Sequence, residues 1–259
     1  GMPGERNSRL WAERTPATFT FHVKAYSMLT GHPTRIASIP QVLRKELPEE
    51  VAKRPNPKDF PNEIVEASFD MFTAALSPLK AAGKLGCILL QFPPWFVPSD
   101  RAYAWLELAR EKLARHCVAV EFRNRRWIDS PGKEKAFDFL RQHHFSYVVV
   151  DAAWIEGWQG PTVVTAPEAY VRLHGRNRKN WFAKGMETVQ RYRYLYSEEE
   201  INVWAENVKD ISKRAEQTFV LFNNCYQDYG IRNAKALKST LRTSRKTGEE
   251  VGGVDIPGS

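Results

Sequence analysis

Six short runs of β-branched, aliphatic and aromatic residues punctuate the chain. Longer stretches separate them, with apolar positions recurring every three or four residues. The runs are 19–24 (FTFHVK), 85–92 (LGCILLQF), 117–122 (CVAVEF), 146–151 (SYVVVD), 169–174 (AYVRLH) and 218–223 (TFVLFN). Several are continuously apolar rather than alternating, as strands covered on both faces are. The helical stretches between them have recognisable ends. Asp100 is placed to cap a helix carrying Leu106, Ala109 and Leu113. Ser197 and Glu200 form a capping box ahead of Ile201, Trp204, Val208, Ile211 and Ala215, which share one face. Asn233 is placed to cap a last helix with Ala234, Leu237 and Leu241. Repeated strand–helix–strand units require parallel pairing and right-handed crossovers, which leaves a doubly wound open sheet or a closed barrel.

Two segments break this rhythm. Residues 31–61 hold six prolines and many charges, a long excursion after the first strand. From Arg242 the chain is polar and glycine-rich, and it reads as a flexible tail. The expected organisation is therefore one α/β domain over 1–241 and a tail over 242–259.

Every candidate strand ends in a hydrophilic residue, and this carries the chemistry. Lys24 closes the first, Gln91 the second, and Glu121 the third, with Arg123 two places on. Asp151 closes the fourth, and Arg172 and His174 share a face on the fifth. Asn223 and Asn224 close the sixth. Parallel α/β folds bind ligands at the carboxyl ends of their strands, so these residues are expected to build one pocket. One reading is acid–base chemistry by Glu121 or His174, tuned by the cations nearby. A second is a divalent metal on Glu121, Asp151 and His174. A third, preferred over the metal, is a charge-compensated network pairing Arg and Lys with the two carboxylates. No HExxH or closely spaced ligand motif supports a metal. Just beyond the strands, Arg125, Arg126, Trp127, Arg176, Arg178, Lys179, Trp181, Arg193 and Tyr196 interleave cations with aromatic rings, a pattern that suits phosphate beside a stacking group. Gly175 would let backbone approach a ligand.

Charge and composition narrow the partners. A net charge of +8, with pI near 9.4, favours an anionic small molecule or nucleic acid. No run is long and apolar enough for a membrane span, and the start lacks a secretory pattern, so a cytoplasmic protein is expected. Cys87, Cys117 and Cys225 are scattered, which favours reduced thiols over a disulfide framework or zinc site.

These residues resemble the YecE-like family of barrels, whose activity is unassigned. The resemblance runs in order through FTFHVKA (19–25), LGCILLQFPPWF (85–96), VAVEFRNRRWID (118–129), VVVDA (148–152), YVRLHGRN (170–177), YRYLYSEEE (192–200) and FNNCYQDYGIRNAKAL (222–237). It implies a TIM-like (β/α) barrel. It also implies that Lys24, Gln91, Glu121, Arg123, Trp127, Asp151, Arg172, His174, Asn223, Asn224 and Asn233 occupy shared positions. The six runs would match strands three to eight, leaving the chain N-terminally incomplete.

The leading expectation is an enzyme acting on an anionic, phosphorylated or nucleotide-like compound. Lys24, Glu121, Asp151 and His174 are its candidate catalytic groups. Gln91, Arg123, Trp127, Arg172, Tyr196, Asn223, Asn224 and Asn233 are candidate substrate contacts. The alternatives are a nucleic-acid-binding or metal-dependent endonuclease-like protein, and a non-catalytic binding protein.

Overall fold

A computed structural model describes residues 2–53, 59–155, 157, 159–246 and 254–255. The chain divides into two compact units, Gly1–Asp129 and Ser130–Ser259.

In the first unit, β1 (Phe21–Lys24), β2 (Leu85–Gln91) and β3 (Val118–Glu121) pair in parallel in that order. Lys24 lies opposite Leu89, and Gln91 lies opposite Glu121. Gly86 makes room for β1, since a Cβ there would sit 2.8 Å from His22 Cε1. Helix α1 (Glu5–Glu13) precedes β1. Its carboxyl end is closed by the buried Lys84, whose Nζ donates to the Ala12 and Thr15 carbonyls at 2.6 and 2.7 Å. A cation is favoured there because a helix leaves its last carbonyls unpaired.

The proline-rich excursion is not a bare loop. It contains α2 (Gln41–Glu46) and α3 (Glu49–Lys53) and leads into the long α4 (Asn62–Ala81). Ile64, Val65, Phe69, Phe72, Leu76 and Leu79 recur at helical spacing in α4 and are all buried. Helix α5 (Asp100–Lys112) is capped by Ser99 rather than Asp100: the Ser99 hydroxyl accepts from the Ala102 N–H. Asp100 is the first helical residue, where its charge suits the dipole.

Cys87 and Cys117 form a disulfide, correcting the expectation of reduced thiols. Ile88 lies opposite Val118, so the preceding residues are neighbours across β2 and β3, with Cα atoms 4.5 Å apart. A sequence separation of 30 conceals that proximity. Denatured, unreduced protein is therefore expected to titrate one thiol per chain, that of Cys225. Reduction is expected to lower stability by about 2–4 kcal/mol. Three titratable thiols would rule the bond out.

In the second unit, α6 (Lys133–Gln142) leads into β4 (Phe145–Ala152). β4, β5 (Glu168–Gly175) and β6 (Gln217–Phe222) pair in parallel in that order, and β7 (Val254–Asp255) pairs with β6. Between β4 and β5 no helix occurs among the described residues, so the strand–helix alternation breaks there. That connection is tied back by Thr165, whose hydroxyl donates to the Phe145 carbonyl (2.6 Å) and accepts from the Tyr147 N–H (2.7 Å). Short α7 (Arg178–Trp181) and α8 (Thr188–Arg191) follow β5, and then comes α9 (Glu198–Ser212) with the capping box the sequence foretold.

Helix α10 spans Tyr229–Lys246. Asn233 therefore lies inside the helix and does not cap it. The segment read as a tail from Arg242 includes the end of α10 and the β7 pairing. No helix among the described residues is long and apolar enough to cross a membrane.

Candidate functional site

At the carboxyl ends of β1, β2 and β3, register builds a chain of polar side chains. Lys24 Nζ donates to Gln91 Oε1 at 2.7 Å, and Gln91 Nε2 donates to Glu121 Oε1 at 2.5 Å. Arg123 Nε lies 3.6 Å from the same Glu121 oxygen. Gln91 and Glu121 are buried, whereas Lys24 is exposed. The buried amide turns its carbonyl to the lysine and its NH2 to the carboxylate, satisfying both.

His32, from the proline-rich excursion, belongs with this group. Its pKa falls from 6.5 to about 4, chiefly through burial and then through the charges of Lys24 and Arg123. At neutral pH the imidazole is therefore uncharged, with Nδ1 2.9 Å from the Thr30 hydroxyl. Sequence reasoning did not single out His32. Its position directly after Gly31, in a loop that follows a strand end, was the available signal.

Trp127 was expected to meet substrate, but it is core. It is 1% exposed, stacks on Phe122 with centroids 4.3 Å apart, and donates its indole N–H to the Phe96 carbonyl at 2.7 Å.

In the second unit the expected residues separate into three groups. Asp151 lies opposite Leu173, and Arg172 lies opposite Val150. Because side chains alternate, Asp151 occupies the opposite face of the sheet from Arg172 and His174. There the carboxylate is met by four donor groups: Arg176 Nε and Nη2, Tyr196 Oη (2.8 Å) and Trp204 Nε1 (2.9 Å). Arg176 also donates to Glu200 Oε1 at 2.8 Å. Burial alone would lower the Arg176 pKa, but hydrogen bonds and charge from Asp151, then the Glu200 charge, raise it instead. Burial and the adjacent Asp151 hold the Tyr196 hydroxyl well above the usual range. Asp151 is thus committed to contacts within the chain, as is Arg176, which the sequence placed among cations suited to a phosphate.

His174 and Arg172 share a face, as expected, and both meet Asn223. Arg172 Nη2 donates to Asn223 Oδ1 at 3.0 Å, which turns the amide NH2 toward His174 Nδ1, also at 3.0 Å. With its NH2 turned that way, the Asn223 amide donates and His174 Nδ1 accepts. Trp154 packs on the ring at 4.8 Å and Trp181 packs on Trp154 at 4.7 Å.

The third group is scaffolding. Asn233 Oδ1 accepts from the Tyr196 N–H and from Asn224 Nδ2, and Asn233 Nδ2 donates to the Tyr196 carbonyl. Asn224, Asn233 and Tyr196 are all buried, holding the chain between β5 and α9 against α10. Gly175 has φ +87°, and a Cβ there would lie 2.7 Å from Tyr194 Cβ. The close approach it permits is to Tyr194.

Among the described residues no three His, Cys, Asp or Glu side chains gather as a metal site. Asp151, with its four donors, is poorly suited to serve as a ligand.

Together these features define an α/β protein of parallel strands whose carboxyl ends carry buried polar networks. The chain belongs to the family described as "Protein of unknown function DUF72", whose model matches residues 1–252. It is 33% identical over 226 residues to the UPF0759 protein YunF of Bacillus subtilis (strain 168), covering 85% of this chain and 72% of that protein. It is similar to the crystal structure of a DUF72 family protein from Enterococcus faecalis V583, with a TM-score of 0.76 and 26% identity, covering 93% of this chain and 81% of that one. A Thermotoga maritima MSB8 family member gives a TM-score of 0.71 with 31% identity, at the same coverage.

Proposed function

We propose that the protein binds an anionic small molecule, phosphorylated or carboxylated, at the ends of β1, β2 and β3, and acts on it there. The observation that carries this reading is the chain of contacts from Lys24 through Gln91 to the buried carboxylate of Glu121, with Arg123 beside that carboxylate. Gln91 fixes the lysine and the carboxylate relative to each other. Lys24 and Arg123 would hold the anion, and the uncharged His32 would donate a hydrogen bond to it. The parallel strand order and the similarity to solved family members support a TIM-like barrel as the framework.

Nucleic-acid binding is the weaker reading because several rim arginines are engaged within the chain. Arg176 pairs with Asp151 and Glu200, Arg125 pairs with Asp129, and Arg193 lies over the Tyr226 ring at 4.9 Å. A cytoplasmic setting, expected from the sequence, suits a metabolite ligand. The Cys87–Cys117 disulfide pulls the other way, because reducing compartments keep thiols reduced.

The test is calorimetric titration with inorganic phosphate and pyrophosphate at low salt. Lys24→Ala and Arg123→Ala are each expected to weaken binding about tenfold or more, the value of one charge-assisted hydrogen bond. Arg125→Ala should leave it unchanged. Equal affinity in all three variants would remove the basis for this site.

A further inference from the structure

A cavity of about 190 Å³ lies in the first unit, with Gly31, Trp95, Phe96, Ser99, Arg101 and Trp105 in its wall. We propose that it receives one planar heterocyclic ring of the ligand, making that ligand a nucleotide or a similar ring-bearing phosphate. This deepens the anion-binding reading and rests on it for the phosphate half only.

Three of the nine residues in its wall, Trp95, Phe96 and Trp105, are aromatic. Trp105 donates its indole N–H to the Leu29 carbonyl at 3.1 Å. Phe96 stacks on Phe92 with centroids 4.0 Å apart, and on Trp127 behind. Trp95 is 52% exposed, an unusual state for so large an apolar ring, and it forms part of the cavity wall. Its N–H reaches the Gly31 carbonyl at 3.4 Å. Such a wall offers stacking faces, which favour flat π-systems over flexible aliphatic chains.

Size gives the second constraint. Pockets for whole drug-sized ligands run to about 300–1,000 Å³, so this cavity suits a single ring system with the remainder of the ligand outside. His32 links the two halves. Its ring meets Trp95 edge-on at 6.1 Å, and the charges of Lys24 and Arg123 act on it. A ring against Trp95 would leave its attached phosphate near the loop that carries Arg123, because the neighbouring Asn124 donates from Nδ2 to the Pro94 carbonyl at 2.5 Å.

The experiment compares adenosine monophosphate, ribose 5-phosphate, adenosine and inorganic phosphate as probes, by calorimetry and tryptophan fluorescence, in wild-type protein and Trp95→Ala. Adenosine monophosphate is expected to bind about tenfold tighter than ribose 5-phosphate, the value of one base–aromatic stack. Trp95→Ala should erase that advantage while leaving inorganic phosphate affinity unchanged, and Trp95→Phe should restore much of it. If adenosine binds through Trp95 while no phosphate binds, the ring site stands and the anion site falls. Equal affinity for the two phosphates in wild type, or an advantage that survives Trp95→Ala, would overturn the ring site.

Discussion

Asp151→Ala is expected to destabilise the protein by about 3 kcal/mol, the lower end of the cost of breaking a buried ion pair. The carboxylate is 0% exposed, and its removal strips partners from Arg176, Tyr196 and Trp204 together. Two contacts keep the loss from being larger. Arg176 retains Glu200, and the Tyr196 hydroxyl still accepts from the Gly175 N–H at 2.9 Å. Asp151→Asn should cost nearly as much, because its NH2 group would face other donors. Removing the exposed Asp129, paired with Arg125, should change stability by less than about 1 kcal/mol. Urea denaturation of the three variants measures this. A loss below 1 kcal/mol for Asp151→Ala would show that the network does not hold the fold.

Trp127→Ala carries the other large effect, a loss of about 3–5 kcal/mol, as for other buried tryptophans. The indole fills the space against Phe122, Phe96 and Tyr103, and its N–H satisfies the Phe96 carbonyl. Trp127→Phe should recover much of the packing but leave that carbonyl without its donor, an intermediate cost. Thermal unfolding distinguishes packing from ligand contact. A residue that stacks on substrate would lower affinity and leave the melting temperature almost unchanged.

What was legible in the sequence depended on how local the signal was. The six strands stand within a residue or two of their expected places, because short apolar runs bounded by polar residues carry their own evidence. The Ser197–Glu200 box was legible for the same reason: both partners lie within one turn. Helix α4 was not assigned, although its apolar spacing is regular, because Pro61 precedes it and no side-chain cap marks its start. The sheet face of Asp151 was out of reach for a physical reason. The run Val148-Val149-Val150 is apolar on both sides and carries no alternation, so only the pairing with β5 shows that Asp151 and Arg172 point apart. The disulfide and the burial of Trp127 depend on neighbours about thirty residues away, which spacing alone does not reveal. At the first three strand ends, by contrast, Lys24, Gln91, Glu121 and Arg123 were all named from sequence, and they are joined in one chain of contacts.

Glu200 divides its two carboxylate oxygens. Oε2 accepts from the Ser197 N–H to close the first turn of α9, while Oε1 accepts from Arg176 and from the Tyr194 hydroxyl. One side chain is thus both the end of a helix and the far anchor of the loop that leaves β5. Fraying that first turn would pull Glu200 from Arg176, and loss of Arg176 would leave the turn without its acceptor held in place. The loop and the helix start are therefore expected to open together, as a single cooperative unit.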